Sequence, residues 1–167
     1  MLARRAFALI NRVFPAADAH AHCDVPCGIY DPHYAQIAAL TVVRMNQLIT
    51  DLAPPSAMEK SERDKYMHAL VRYTQTKEEH AELVKHEVRI IRGDFFKPDN
   101  SPDGIGEIVD GIMKTASQAR QNIDAEAGEK LLDLVNQFAE AFWSTKGVAT
   151  KKASSNQAAG GEFVVPA

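Results

Sequence analysis

Both cysteines of this 167-residue chain fall in one short stretch, His22-Cys23-Asp24-Val25-Pro26-Cys27-Gly28-Ile29-Tyr30-Asp31-Pro32. Thiolates bind soft or borderline metals, and imidazole suits Zn, Cu, Fe and Ni. Cys23 and Cys27 in one tight loop can reach the same ion together. The Cys-x3-Cys spacing alone falls short of a zinc site, which takes further ligands from a second knuckle, and the sequence has no such partner motif. With His22 added, the stretch still lacks side-chain ligands. A plainer alternative is a local Cys23–Cys27 disulfide in a small exported helical protein.

The residues before the stretch suggest where the missing ligand comes from. Arg4, Arg5 and Arg12 are basic, and no acid appears before Asp18. Ala19-His20-Ala21 has the small-x-small pattern of a cleavage site. The segment reads either as a frayed amphipathic helix or as a leader or pro-segment removed after Ala21. A cut there would place a new α-amino group beside the His22 imidazole. The backbone nitrogen of Cys23 can then also bind, once a metal promotes loss of its proton. Mixed nitrogen and sulfur donors of this kind favour a square-planar ion, Ni(II) or Cu(II). The shortened chain would carry 16 Lys+Arg against 21 Asp+Glu, a formal −5 in place of −3.

The rest of the chain supplies the frame. Composition is that of one globular domain, 46% hydrophobic and 25% charged. A pI near 6.1 argues against a general nucleic-acid binder. No window holds the apolar run of a membrane span. Ala, Leu, Glu, Lys, Gln and Met dominate, so the chain should be helical. Pro26, Gly28 and Pro32 keep the Cys stretch out of regular helix. Asp31-Pro32 then reads as a helix start. The first helix is expected from Pro32 to about Leu52, with Ile37, Leu40, Thr41, Met45, Leu48 and Leu52 inward, and Pro54-Pro55 after it. The second runs from between Ser56 and Ser61 to about Arg92. Tyr66, Leu70, Tyr73 or Thr74, Lys77, Ala81, Val84, Val88 and Ile91 trace its inner face, and Gly93 is the expected C-cap. The third covers Ile105 to Gln121, with Ile105, Ile108, Ile112, Ala116 and Ala119 inward. The fourth covers about Asp124 to Lys146, with a stripe of Leu131, Leu132, Val135, Phe138, Phe142 and Trp143. Gly147 onward is rich in Ser, Gly, Ala and Lys, and residues 148–167 are expected as a disordered tail. Four helices on short connections predict an all-α, antiparallel four-helix bundle.

At this point the residues point to a family. The stretch His22 to Pro32 closely resembles the nickel hook of nickel-containing superoxide dismutases, matching the H-C-D-x-P-C-G-x-Y pattern at every fixed position. The resemblance extends to Lys77-Glu78-Glu79, Asp94-Phe95-Phe96-Lys97-Pro98 and Phe142-Trp143-Ser144-Thr145-Lys146, so it covers about His22 to Lys146. The leader resembles the family's pro-segment. The resemblance implies a nickel-dependent superoxide dismutase that converts superoxide to O2 and H2O2 by Ni(II)/Ni(III) cycling, in a homohexamer of four-helix bundles. It implies metal ligation by His22 (α-amine, and imidazole in the oxidised state), Cys23 (thiolate and backbone nitrogen) and Cys27 (thiolate). Asp24 would order the loop through backbone N–H groups. Pro26 would hold the turn, with a cis bond after Val25. Tyr30 would line the substrate approach, and Lys97 would attract the anion.

Two departures alter the surroundings. Ala38 and His80 stand where some members carry a glutamate and an arginine that orient the axial imidazole. His80, Glu79 or a backbone carbonyl is then expected to serve. Phe95 stands where some members have a second tyrosine. His33, His68 and His86 are expected on helices, outside any metal site. The domain plan is a leader over 1–21, a hook over 22–32, a bundle over 33–147 and the tail. The partners implied are superoxide, further copies of the chain and a maturation protease, with no nucleic acid and no membrane. The family's pro-segments serve maturation, which favours the cytoplasm, with export the alternative. A nickel or copper carrier without turnover is the competing reading.

Overall fold

The computed structural model describes residues 28–56 and 59–167. Four α-helices form the bundle: α1 (His33–Thr50), α2 (Lys60–Ile90), α3 (Ile105–Gln121) and α4 (Ala125–Thr145). Around the ring α1 packs on α2 and α4, and α3 packs on the same two helices. The fold class is that expected from the sequence, with a small two-stranded sheet added at the end of the chain.

Helix starts follow local chemistry. The Asp31 carboxylate accepts the His33 N–H at 2.8 Å, satisfying one of the donors a helix N-terminus leaves open. At α4, Asp124 is the N-cap and accepts the Ala127 N–H at 2.9 Å. That bond and a second from Gln118 hold the Asp124 carboxyl below the usual range. Its contribution to stability is therefore present above the ordinary aspartate pKa and is lost as pH falls through the lower folded value. Lys77 is fully buried on α2 and donates its ammonium to the Asn122 carbonyl at the end of α3, tying α2 to the α3–α4 corner. Burial pushes its pKa down, against Glu78 and Asp124, which raise it.

The inner faces of α2, α3 and α4 largely follow the sequence pattern. Lys77, Ala81, Val84 and Val88 of α2 are buried, as are Ile105, Ile112, Ala116 and Ala119 of α3 and Leu131, Leu132, Val135, Phe138 and Phe142 of α4. The face of α1 differs from the expectation. Its buried residues are Ala35, Gln36, Ala38, Ala39, Leu40, Val42, Val43, Asn46 and Ile49, whereas Ile37 is 42% exposed. Leu40 of the predicted stripe is buried, but its other members lie toward the opposite side, because Ala35, Ala38 and Ala39 carry little apolar surface yet allow helices to approach closely. That side lines a groove of about 570 Å³ against the end of the chain, with His33, Ile37, Thr41, Arg44 and Met45 facing Phe163. Neither Tyr30 nor Lys97 lines it.

The end of α2 also departs from the expectation. Gly93 is no C-cap: the helix widens into a π-turn over Ile91–Phe95, and the Phe96 N–H closes on the Ile91 carbonyl at 3.2 Å. π-Turns often re-aim side chains near functional sites. This one is followed by Phe96, buried against Phe138 and Phe142, while Phe95 is half-buried beside them.

Residues expected as a disordered tail instead form a hairpin, β1 (Thr150–Ser154) with β2 (Glu162–Pro166), antiparallel in the register Lys152↔Val164 and Ala153↔Phe163. Tail composition misled because the ordering signal is brief: a Gly160-Gly161 turn and the run Phe163-Val164-Val165. Gly161 (φ +77) also passes close to the bundle, where an added Cβ would sit 3.1 Å from Leu40 and Leu132 side chains. Two buried amides bolt the hairpin down. Gln36 Nε2 donates to Asn136 Oδ1 (2.7 Å) and to the Val164 carbonyl (3.1 Å). Asn136 Nδ2 donates to the Glu162 carbonyl (2.9 Å), and its Oδ1 accepts the Val164 N–H (3.3 Å). Replacing Asn136 by alanine strands these partners, so a loss of about 1–3 kcal/mol is expected in denaturant unfolding. An unchanged midpoint would show that the hairpin rests on the bundle without holding to it.

Candidate metal centre

His22, Cys23, Asp24, Val25, Pro26 and Cys27 lie outside the described residues, and so does the expected cis bond. The described chain begins at Gly28, the residue bonded to Cys27. Gly28 has φ +70, a left-handed conformation that suits glycine, and an added Cβ there would meet nothing within 4 Å. Backbone shape, and not crowding, therefore selects glycine where the stretch enters the fold. Ile29 follows at 76% exposure. Tyr30 then turns inward and packs on the core, its ring 5.8 Å from Phe95 at 55°. Asp31 caps α1, and Pro32 is buried. Together these residues fix where the described chain meets the bundle, and in sequence Tyr30 is three residues beyond Cys27.

The floor beneath Tyr30 is aromatic. Phe95 stacks obliquely on Phe142 at 4.7 Å, and Phe142 meets Trp143 edge-on at 5.0 Å. Lys146, the C-cap of α4, lays its ammonium over this floor: 4.5 Å from the Phe142 centroid, 5.4 Å from Phe95 and 5.5 Å from Trp143. Each such contact is worth about 0.5–1 kcal/mol at an exposed site. The sequence pattern did not single out this contact of Lys146. The available signal was spacing, since a lysine four residues after Phe142 and three after Trp143 lies over both on a helix.

Lys97 is exposed. It donates its backbone N–H to Asn100 Oδ1 at 2.6 Å and its ammonium to the Gly93 carbonyl at 3.3 Å. It stands two residues past Phe95, just beyond the π-turn.

The candidates for orienting the imidazole are engaged locally. His80 Nδ1 lies 2.8 Å from the Thr76 carbonyl one turn back, and Glu79 accepts from Gln75 at 2.8 Å. Ala38 is fully buried, and its side chain offers no polar atom. His33 sits edge-on to Phe163 at 5.3 Å, while His68 and His86 are exposed. Among the described residues no group of three or more His, Cys, Asp and Glu is placed to hold a metal ion. The donors that suit a thiophilic, square-planar ion are those of the hook: two thiols, an imidazole and the backbone nitrogens beside them.

The sequence model of the family described as nickel-containing superoxide dismutase matches residues 17–146. A superoxide dismutase [Ni] of Streptomyces seoulensis is 34% identical over 141 residues, covering 83% of this chain and 98% of the relative. The superoxide dismutase [Ni] of Streptomyces coelicolor is likewise 34% identical, over 142 residues, with the same coverage. Among solved structures, a native nickel superoxide dismutase superposes with a TM-score of 0.64 at 34% identity, covering 75% of this chain and 99% of that one. A crystal structure of a nickel-containing superoxide dismutase with nickel ligation of the oxidised state gives 0.63 at 33%, with the same coverage. The hairpin β1–β2 lies beyond the residues the family model matches.

Proposed function

Since the chain belongs to the nickel-containing superoxide dismutase family, we propose that residues 22–32 form its metal hook and that proteolysis between Ala21 and His22 completes it. The enzyme is a superoxide dismutase of the nickel type, with nickel as its cofactor. The observation that carries the site assignment is the hook sequence itself, intact at every fixed position within the matched span and joined directly to Tyr30 on the bundle.

The donor set fits the metal. Nickel, when bound, supplies a one-electron couple that oxidises one superoxide to O2 and reduces another to H2O2. His22 would hold it through the α-amine and imidazole, Cys23 through its thiolate and backbone nitrogen, and Cys27 through a second thiolate. Anionic sulfur and amide donors bring the higher oxidation state within reach, which hydrated nickel lacks. Asp24 would accept backbone N–H groups and keep the loop in shape. Tyr30 lines the approach, held in place by its packing on Phe95. Lys97 adds positive charge at the same end of the bundle, on a chain whose total charge is negative.

The wider plan follows the family resemblance. The leader of residues 1–21 is a pro-segment removed by a maturation protease. The mature chains assemble as a homohexamer, with the hooks at subunit contacts. The enzyme works in the cytoplasm and binds neither nucleic acid nor membrane. No described helix is long and apolar enough to cross a membrane.

Tyr30→Phe tests the role of the hydroxyl. Nickel content should be unchanged, and turnover or inhibition by peroxide should shift about two- to tenfold, the rate equivalent of one hydrogen bond. Unchanged kinetics would reduce Tyr30 to packing. A wild-type protein that binds nickel but releases it readily and leaves superoxide untouched would be a carrier, against the enzyme assignment.

A further inference from the structure

Superoxide is an anion, and the chain that must attract it carries a formal −3, or −5 once residues 1–21 are removed. The overall field therefore works against encounter, and a local cation at the approach has to overcome it. Lys146 is placed for this. Its ammonium rests on the faces of Phe95, Phe142 and Trp143 and takes part in no ion pair among the described residues. Ring faces hold a cation without neutralising it, so its charge stays available to an incoming anion. Phe95 is shared: one side of the cluster meets Tyr30 and the other meets Lys146. The fixed charge thus stands one ring away from the residue that joins the hook to the bundle.

We propose that Lys146 is a substrate-positioning residue, a fixed cation that draws superoxide to the Tyr30 face. The proposal rests on the dismutase reading above. The competing role is structural: Lys146 ends α4, where any cation complements the helix dipole. The two roles separate on salt dependence and on charge selectivity.

In the nickel-loaded enzyme, Lys146→Gln should lower kcat/KM about threefold at low ionic strength, and Lys146→Glu about tenfold, while Lys146→Arg stays near wild type. The differences should vanish near 1 M salt, where the screening length falls to about 3 Å. A second readout needs no metal. Trp143 is the only tryptophan and lies beside the Lys146 ammonium. In metal-free protein, iodide should quench its fluorescence at least about twofold less well after Lys146→Gln, with quenching by neutral acrylamide unchanged. An unaltered rate and salt slope in Lys146→Gln overturns the proposal, whatever iodide shows. A lower rate with an unaltered preference for iodide over acrylamide also overturns it, because the loss is then structural. Failure of the dismutase reading is registered separately, in wild-type protein that holds nickel and does not remove superoxide.

Discussion

Cys23→Ser is expected to strip the protein of its nickel and its activity while leaving the bundle folded. Cys23 stands twice in the proposed donor set, through its thiolate and its backbone nitrogen. Serine keeps the nitrogen but replaces a soft anionic donor by a hydroxyl that stays protonated near neutral pH. Losing even an outer partner of a metal ligand costs about 10–100-fold in affinity, and loss of a direct thiolate should exceed the upper end of that range. The helices should not notice the change, since residue 23 precedes the capped start of α1 at His33 and the core is built from α1 to α4. The check is nickel per chain by elemental analysis, superoxide removal, and far-UV circular dichroism on the same sample. A Cys23→Ser protein with full nickel and full rate would remove Cys23 from the centre.

The second large effect concerns the Ala21–His22 bond. A chain kept uncut there, or a mature chain acetylated on its terminal nitrogen, is expected to show no dismutase activity. An α-amine titrates near 7.7–8.0 and can give a lone pair to a metal near neutral pH, whereas an amide nitrogen has none to give without losing its proton. The same side chains are present in both forms, so the comparison isolates one ligand. Activity should appear when the bond is cut by an added protease that leaves His22 first. Equal activity before and after cutting would contradict the terminal-amine account.

Much of this was legible in the sequence. Helix positions follow from capping residues and prolines, and the boundaries at Ile105, Gln121 and Asp124 agree with expectation. The proposed hook stands out in the sequence because both cysteines fall within it and the spacing of its residues is specific. What escaped had weak local signals. The inner face of α1 mixes three alanines with Leu40, Val42, Val43 and Ile49, and pattern reading discounts the alanines beside Ile37 and Met45. The π-turn at Ile91–Phe95 depends on where Phe95 and Phe96 pack, which Gly93 does not reveal. The hairpin depends on Gln36 and Asn136, more than twenty residues from the strand they hold. Lys146 was given no role of its own in the sequence, because the three rings beneath it come from two segments that meet only in the fold.

These corrections change the frame of the hook more than its chemistry. Ala38 is buried and His80 and Glu79 are engaged along their own helix. The π-turn, Tyr30 and the Lys146 cluster stand together at one end of the bundle.

The most direct test takes one native preparation and measures intact mass, nickel content and superoxide removal together. The account predicts a chain beginning at His22, nickel equal in number to the chains, and dismutase activity that is lost with the metal. Active, nickel-loaded protein that still begins at Met1 would contradict it.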